Sequence, residues 1–174
     1  MEYRKLGKTD IDVSVMALGC WPFAGGAVWG DQDDEQSIAT VHAALDVGIN
    51  FFDTAEGYEN GHSERVLGRG LEGRRQEAVV ATKVSPKHLD PEGIVAACEQ
   101  SLKNLQTDYI DLYQIHWPNH QIAIETSWRA LEDLVASGKV RALGVSNFAV
   151  GDLSDLLAVG RLEADQLPYS LLWR

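Results

Sequence analysis

The stretch FFDTAEGYENGHSE, residues 51–64, changes character at its third residue. A mostly apolar segment that begins at Ile49 ends with two phenylalanines, and Asp53 follows them directly. A short apolar run that stops at a polar residue is typical of a buried strand that reaches the rim of its sheet. Tyr58 stands five residues later, among Gly, Asn and Glu residues that favour a loop. The stretch therefore predicts a strand followed by a loop that carries an acid and a phenol.

Composition sets the class of protein to which this loop belongs. The chain has 174 residues, of which 45% are hydrophobic and 24% charged, as in an ordinary globular domain. We expect one domain, with a β-hairpin in residues 1–15 and βα units over residues 15–174. The net charge of -11 and the pI near 4.8 argue against binding to nucleic acid or to an anionic membrane, because both require a basic face.

Two cysteines and the absence of long apolar runs indicate the compartment. Cys20 and Cys98 are far apart and lie outside any CxxC pattern, so neither a disulfide framework nor a thiolate metal site is predicted. A reducing cytoplasm fits this pattern best. The amino terminus has no apolar segment of the kind that directs export, and no run approaches the roughly 18 apolar residues of a membrane span. We expect a cytoplasmic protein.

Short apolar runs alternate with amphipathic stretches after a hairpin that turns at residues 7–10. Most runs are apolar at every position, as in strands that are buried on both faces of a parallel sheet. Right-handed crossovers between such strands complete the prediction of an α/β fold. The predicted strands are Val15–Cys20, Ile49–Asp53, Ala78–Lys83, Tyr109–His116, Val140–Ser146 and Ala164–Leu167.

Five helices are predicted between these strands, and the third has the clearest signals. Asp90 is a typical N-cap, and Pro91 occupies the first helical position. Glycines end three of the other helices, at Gly48, Gly138 and Gly160. The apolar stripe of the third helix comprises Ile94, Ala97, Cys98, Ser101, Leu102 and Leu105.

Polar residues end five consecutive strands. In parallel α/β proteins the carboxyl ends of all strands lie on one face, so residues that are far apart in sequence converge there. Each residue alone has a simpler interpretation, as a turn former, a helix cap, a lysine that reaches solvent, a histidine bonded to backbone or a loop aromatic. Their common position at strand ends favours a site instead. These residues are Asp53, Lys83, His116, Ser146 with Asn147, and Gln166, and Tyr58 follows the first of them.

Together these groups form an apparatus for protonating an oxygen. A free tyrosine has a pKa of about 10, so Tyr58 needs a neighbouring ammonium, such as that of Lys83, to lower its pKa. Asp53 keeps Lys83 charged, and a neutral His116 donates a hydrogen bond to a substrate oxygen. None of these side chains supplies a hydride, so carbonyl reduction requires a cofactor. The amide and hydroxyl groups of Ser146, Asn147 and Gln166 suit the carboxamide of a nicotinamide ring.

Six stretches resemble the aldo-keto reductases, in the branch that includes bacterial and plant enzymes and potassium-channel β subunits. The resemblance runs through the whole chain. It implies a (β/α)₈ barrel, a small carbonyl substrate and the cofactor NADP(H) or NAD(H). The matching stretches are LGCWPFAGG (18–26), GINFFDTAEGYENGHSE (48–64), VVATKV (79–84), DYIDLYQIHWPN (108–119), VRALGVSNF (140–148) and ADQLPYSLLWR (164–174).

The resemblance also implies roles for individual residues. The tetrad of the family falls on Asp53, Tyr58, Lys83 and His116, with Tyr58 as the general acid in carbonyl reduction. Cofactor contacts fall on Cys20, Trp21, Asp53, Ser146, Asn147 and Gln166. Trp21, Trp29 and Trp117 would line an apolar substrate mouth, although packing at the rim explains Trp29 equally well.

The chain departs from the family in length. A (β/α)₈ barrel typically has roughly 250 residues, and six strands with five helices make an incomplete TIM barrel. The last two strands, near which such barrels commonly bind phosphate, have no counterpart here. Open edge strands favour pairing with another chain. We therefore expect completion of the barrel by a second polypeptide, self-association through the open side, or an inactive fragment, and we favour the fragment.

Two other functions compete with a reductase. One is a binding or regulatory subunit that keeps the nicotinamide site without catalysis, as in the channel β subunits that the chain resembles. The other is a lyase in which Lys83 forms a Schiff base with its substrate. The lyase ranks last, because a lysine paired with Asp53 stays protonated and is a poor nucleophile.

Overall fold

Six parallel strands form one sheet whose order follows the chain, in a computed structural model that describes residues 1–172. An antiparallel hairpin, β1 (Tyr3–Lys5) with β2 (Asp12–Ser14), precedes the sheet as predicted. Each of the six predicted strands is confirmed to within two residues at either end. The sheet strands are β3 (Ala17–Gly19), β4 (Phe51–Asp53), β5 (Val79–Val84), β6 (Ile110–Ile115), β7 (Val140–Ser146) and β8 (Ala164–Gln166).

The five predicted helices are present, together with one short helix that the sequence pattern did not indicate. This extra turn is α1, four residues long, in the loop that follows β3. The helices are α1 (Gly26–Trp29), α2 (Asp34–Asp46), α3 (His62–Gly70), α4 (Pro91–Leu105), α5 (Ile124–Ala136) and α6 (Val150–Val159). None of the helices within residues 1–172 has both the length and the apolar character that crossing a bilayer requires.

Helix α4 forms as its sequence predicts. The Asp90 side chain accepts a hydrogen bond from the Gly93 N–H at 2.9 Å, and Pro91 is the first residue of the helix. All six residues of the predicted apolar stripe are buried. The helix is therefore held by its cap and by burial of one face against the sheet.

Two glycines that end helices do so for different physical reasons. Gly48, beyond α2, has a φ of +86°, in the left-handed region that favours glycine. Gly160, which caps α6, has a φ of −160° and is extended. A Cβ on Gly160 would lie 2.1 Å from the indole ring of Trp128 in α5. Close approach between two helices, and not a left-handed turn, therefore requires glycine at this position.

The sheet has apolar layers on both faces, and the hairpin covers only one end of its inner face. The larger layer lies between the sheet and the helices. On the inner face, Leu6, Ile11 and Val13 from the hairpin region form a second cluster with inward-facing strand residues. Those strand residues are Phe51, Val79, Ala81, Leu112, Ala142 and Ala164. The apolar contacts occupy the amino-terminal part of the inner face and leave the carboxyl end for polar groups.

Candidate active site

Lys83 is the buried charge at the carboxyl end of β5. Its neighbours two and four residues earlier, Ala81 and Val79, face the inner cluster, so strand alternation turns Lys83 to the same side. The ammonium Nζ donates to Asp53 Oδ1, to Asp53 Oδ2 and to the Thr54 carbonyl oxygen, each at 2.8 Å. Only 1% of Lys83 is exposed. All three ammonium protons are therefore used inside the protein.

This arrangement decides what Lys83 is able to do. Burial lowers the pKa of Lys83, and the charge of Asp53 opposes that shift. Three acceptors around Nζ match the three protons of the ammonium form and leave no lone pair for attack on a carbonyl carbon. The geometry therefore argues against a Schiff base at Lys83.

Tyr58 lies beside this ion pair, on the loop between β4 and α3. Its ring stacks on Trp21, with centroids 5.7 Å apart and planes at 22°, and meets the His116 ring edge to face at 5.6 Å. The Lys83 ammonium lies 5.4 Å from the centre of the Tyr58 ring. Residues from the ends of β4, β5 and β6 thus form one cluster, as convergence of parallel strands predicts.

The ionisation of Tyr58 differs from the expectation drawn from sequence. Lys83 was expected to lower the pKa of Tyr58, but burial raises this pKa, and the negative charge of Asp53 adds to the rise. Burial and the charge of Asp53 together outweigh the opposing charge of Lys83. The Tyr58 hydroxyl makes no hydrogen bond to any residue in the range 1–172. Tyr58 is therefore a protonated phenol with an unused donor.

His116 is neutral at physiological pH. Burial lowers its pKa to about 4, and the positive charge of Lys83 acts in the same direction. Its backbone is well bonded, since the N–H donates to Val84 at 3.0 Å and the carbonyl accepts from Asn147 at 3.0 Å. Its ring nitrogens have no hydrogen-bond partner in the described part of the chain. The ring therefore has one N–H donor to offer.

Ser146, Asn147 and Gln166 are joined to one another by hydrogen bonds. Asn147 Nδ2 donates to the His116 carbonyl at 3.0 Å and to Ser146 Oγ at 2.9 Å, and Ser146 Oγ donates to the Gln166 carbonyl at 3.1 Å. Asn147 Oδ1 remains as an acceptor, and the Gln166 side chain is exposed. A carboxamide needs one acceptor and one donor, so this set fits a nicotinamide ring. Ser146 and Asn147 do not cap the next helix. At the start of α6, the Ala149 N–H donates to Asp152 Oδ2 at 3.0 Å instead.

Cys20 does not occupy the position expected of a cofactor contact. It is fully buried, and its thiol points to the Leu18 carbonyl at 3.5 Å. Its N–H donates to the Asp53 carbonyl, and its own carbonyl accepts from Ser63 Oγ at 2.6 Å. All polar groups of Cys20 are used internally, so the structure gives no support to the cofactor contact that the resemblance implies for Cys20.

Two of the three candidate substrate tryptophans form a wall beside Tyr58. Trp21 and Trp29 meet edge to face, with ring centroids 5.5 Å apart. Both are partly open to solvent, as is Trp117, which follows His116 directly. Trp29 therefore packs on Trp21 and at the same time presents apolar surface at the mouth of the site.

Three polar residues near the cluster were missed by the sequence analysis. Glu64 of α3 is fully buried, and its carboxylate accepts from Thr82 Oγ1 at 2.6 Å and from Asn104 Nδ2 at 2.9 Å. Gln114 pairs in register with Lys83 and is almost completely buried. Glu56 bonds to the segment after β5. A signal for Gln114 was present in the sequence, because it is a polar residue inside an apolar strand, two positions before His116. Glu64 gave no such signal, because an acid in the first turn of a helix is usually exposed.

Comparison with known proteins gives the family. The model of the aldo/keto reductase family matches residues 15–174, of which the last two lie outside the described residues. The chain belongs to the aldo/keto reductase family. It is 41% identical to aldo-keto reductase YhdN of Bacillus subtilis, over 100% of this chain and 55% of that protein. It is 36% identical to the NADH-specific methylglyoxal reductase of Escherichia coli, over 97% of this chain and 59% of that protein.

Solved structures of family members share the fold. A thermostable aldo-keto reductase, Tm1743, crystallised with the inhibitor epalrestat, superposes with a TM-score of 0.91 at 34% identity over 97% of this chain and 63% of its own. An aldo-keto reductase from Klebsiella pneumoniae in complex with NADPH gives a TM-score of 0.79 at 37% identity, over 86% of this chain and 51% of its own. The six-stranded sheet is thus part of a TIM barrel, and the chain spans little more than half the length of these relatives.

Proposed function

We propose that the protein reduces aldehydes or ketones to alcohols with NADPH or NADH, and that Tyr58 is the proton donor. One observation carries this proposal. Tyr58 and His116 present two donors without partners in the described chain, next to a buried ammonium whose own protons are all used. Two unused donors on neighbouring rings suit a carbonyl oxygen, which needs hydrogen bonds as charge develops on it.

Relatives support the choice of substrate and cofactor. A methylglyoxal reductase of Escherichia coli, 36% identical, is described as NADH-specific, and a Klebsiella pneumoniae member, 37% identical, was crystallised with NADPH. Either nicotinamide cofactor is therefore compatible with the family. The proposed substrate is a small carbonyl compound.

The residues of this chain have separate tasks in the proposed reaction. The nicotinamide cofactor, when bound, supplies the hydride that the carbonyl carbon receives. Asn147 Oδ1 and the Gln166 amide would hold the carboxamide of the cofactor, as acceptor and donor. The neutral imidazole of His116 donates to the carbonyl oxygen and orients it. Tyr58 transfers its proton to that oxygen and is reprotonated from solvent.

The ion pair and the tryptophans act on the environment of this proton transfer. The Lys83 ammonium, 5.4 Å from the Tyr58 ring, favours the phenolate that remains after the transfer. Asp53 keeps Lys83 charged and fixes its direction. Trp21 and Trp29 exclude water from one side of Tyr58, which strengthens the electrostatic interactions there.

A direct assay tests this function in the whole protein. Loss of absorbance at the band of the reduced cofactor is measured with a generic aromatic aldehyde. We expect Tyr58→Phe to abolish turnover, since no other phenol adjoins His116 in the described chain. Tyr109→Phe is the matched control, because Tyr109 packs under Arg75 near the opposite end of the sheet. Full turnover by Tyr58→Phe would refute the assignment.

A binding subunit without catalysis is the second candidate. The observation in its favour is 31% identity to a probable voltage-gated potassium channel β subunit of Oryza sativa, over 91% of this chain. Cofactor titration by quenching of tryptophan fluorescence separates the candidates. Saturable binding together with no reduction of any aldehyde tested would favour the binding subunit.

Three further expectations from the sequence remain proposals. We propose that residues 1–174 form one domain and that the protein acts in the cytoplasm. For the chain alone, an inactive fragment is the favoured proposal, and self-association through the open side of the sheet is the alternative. Strands β3 and β8 form the two edges of the described sheet, and edge strands present unpaired N–H and C=O groups. A monomer in sedimentation velocity at micromolar concentration would refute self-association of the chain.

A further inference from the structure

The loop that carries Tyr58, residues 54–61, has weak backbone hydrogen bonds around the tyrosine. The Tyr58 N–H reaches the Ala55 carbonyl at 3.2 Å, and the Tyr58 carbonyl accepts from Ser63 at 3.5 Å. Both distances exceed the usual 2.9 to 3.0 Å of such bonds. The Tyr58 side chain adds ring contacts only. Contacts made by other residues of the loop are therefore needed to hold the Tyr58 hydroxyl in position.

The backbone immediately after Tyr58 is strained, so the loop depends even more on contacts with its surroundings. Glu59, Asn60 and Gly61 have φ angles of +45°, +49° and +76° in succession. Only the last of them is a glycine, so two residues with a Cβ occupy the left-handed region. A strained conformation persists only where surrounding contacts maintain it.

Glu56 provides such a contact, two residues before Tyr58. Its Oε1 accepts from the Ser85 N–H at 2.5 Å and from His88 Nδ1 at 3.0 Å. The Glu56 side chain is only 13% exposed, so water competes little for these bonds. Within residues 1–172, no other side-chain hydrogen bond crosses from the segment 55–61 to the segment 85–90.

A cleft lies between segments 55–61 and 85–90, which the hydrogen bonds of Glu56 connect. Its volume is about 560 Å³, and it separates the tyrosine loop from the turn that follows β5. Glu56, Gly57 and Asn60 line one wall, and Lys87 and His88 line the other. Direct packing does not fill this space. The two hydrogen bonds of Glu56 therefore join segments that side-chain packing leaves apart.

The turn at residues 85–88 is itself anchored to the loop after His116. Asn119 Nδ2 donates to the Pro86 carbonyl at 2.8 Å. The bonds of Glu56 therefore connect the loop of Tyr58, through this turn, with the loop of His116. The two unused donors of the site lie on segments that are tied to the same turn.

We propose that Glu56 is a positioning residue for Tyr58, acting through the loop and without contact to the substrate. The proposal rests on the proposed function, in which Tyr58 donates the proton. Glu56 fixes the start of the strained turn, so that the phenol stays beside His116. Loss of the carboxylate frees the loop, and misplacement of a reacting group slows catalysis more than it weakens binding.

Hydrogen–deuterium exchange and kinetics of the whole protein test this role together. Glu56→Ala removes both hydrogen bonds, Glu56→Gln keeps the acceptor oxygen, and His88→Ala removes one bond from the other side. Lys87→Ala is the matched control, because Lys87 is exposed in the same turn and its side chain makes no hydrogen bond in the described chain.

We expect the Glu56→Ala variant to show about tenfold faster exchange at residues 56–61, with β5 unchanged. Exchange in His88→Ala is intermediate, and in Glu56→Gln and Lys87→Ala it stays within about twofold of the parent. In aldehyde reduction, Glu56→Ala lowers kcat about tenfold and changes KM by less than about twofold, and Glu56→Gln restores kcat.

Two results would overturn the proposal. One is unchanged exchange at residues 56–61 in Glu56→Ala. The other is faster exchange over the whole chain in both Glu56 variants, which indicates a general loss of stability. If Glu56→Ala does not fold, His88→Ala and Glu56→Gln decide by the same exchange measurement. A parent protein without turnover refutes the reductase, whereas the exchange data still test the link between Glu56 and its loop.

Discussion

The two ends of the sheet each bury a charged residue, and the surroundings of the two charges differ. At the amino end, Asp111 is fully buried and accepts from Arg75 at 2.7 Å, from Arg141 at 2.5 Å and from the Val80 N–H at 3.0 Å. At the carboxyl end, Lys83 is bonded just as completely. Both buried charges therefore have the partners that burial demands.

The groups around Asp111 and Lys83 differ in whether their own hydrogen bonds are satisfied. Asp111 is surrounded by groups that already have partners, and the hairpin region covers the inner face of the sheet at that end. Around Lys83, the Tyr58 hydroxyl and the His116 ring nitrogens have none among residues 1–172. A buried ion pair alone is thus weak evidence for function. Unused donors next to it are the stronger evidence.

Removing the partner of Lys83 has the largest expected effect. Asp53→Ala leaves the ammonium buried and unpaired, which lowers the free energy of unfolding by about 4 kcal/mol, as measured by urea denaturation. The double variant Asp53→Leu, Lys83→Met replaces the pair by apolar groups and should regain most of this loss while remaining inactive. A double variant as unstable as Asp53→Ala would mean that the pair holds the fold together.

At the amino end, Asp111→Ala should cost less, about 2 kcal/mol in the same measurement. The Arg141 side chain is 48% exposed, so water takes over part of the lost interaction. Turnover per folded molecule should stay at the parent level, because Asp111 lies at the end of β6 opposite to His116. A fall in kcat in fully folded Asp111→Ala would break the distinction between the two ends.

The pH dependence of stability tests the environment of His116. Its folded-state pKa of about 4 lies below the ordinary value of 6.5, so between these pH values the unfolded chain binds a proton that the folded chain does not. The stability associated with neutral His116 is present above pH 6.5 and is lost as pH falls towards 4. His116→Gln should therefore flatten the profile of unfolding free energy in this window. His42→Gln, which removes an exposed histidine of α2, is the control.

Tyr58→Phe should have the smallest effect on stability, below about 0.5 kcal/mol, although it abolishes turnover. The hydroxyl has no hydrogen bond to lose within the described chain. Tyr3→Phe is a matched comparison, because the Tyr3 hydroxyl donates to the Gly48 carbonyl at 2.7 Å and its loss should cost about 1 kcal/mol. If thermal unfolding showed the same loss of stability for Tyr58→Phe and Tyr3→Phe, the Tyr58 hydroxyl would be hydrogen-bonded in the folded state.

Local patterns were sufficient to predict the strands and the five longer helices, because each depends on residues close together in sequence. The cap of α4 at Asp90 and its buried stripe are examples. Contacts between distant segments were not predictable in this way. Gly160 faces Trp128 of another helix, and Cys20 uses its polar groups on Leu18, Asp53 and Ser63.

The sequence by itself determined the order of the elements, the parallel sheet and the polar residues that end its strands. These follow from short-range periodicity and from the handedness of crossovers, which brings all carboxyl ends to one face. Only the tertiary structure decided that the protons of Lys83 point to Asp53 and Thr54, that the pKa of Tyr58 rises, and that Glu56 holds the loop. Hydrogen bonds and desolvation depend on distances between segments that the chain brings together only when it folds.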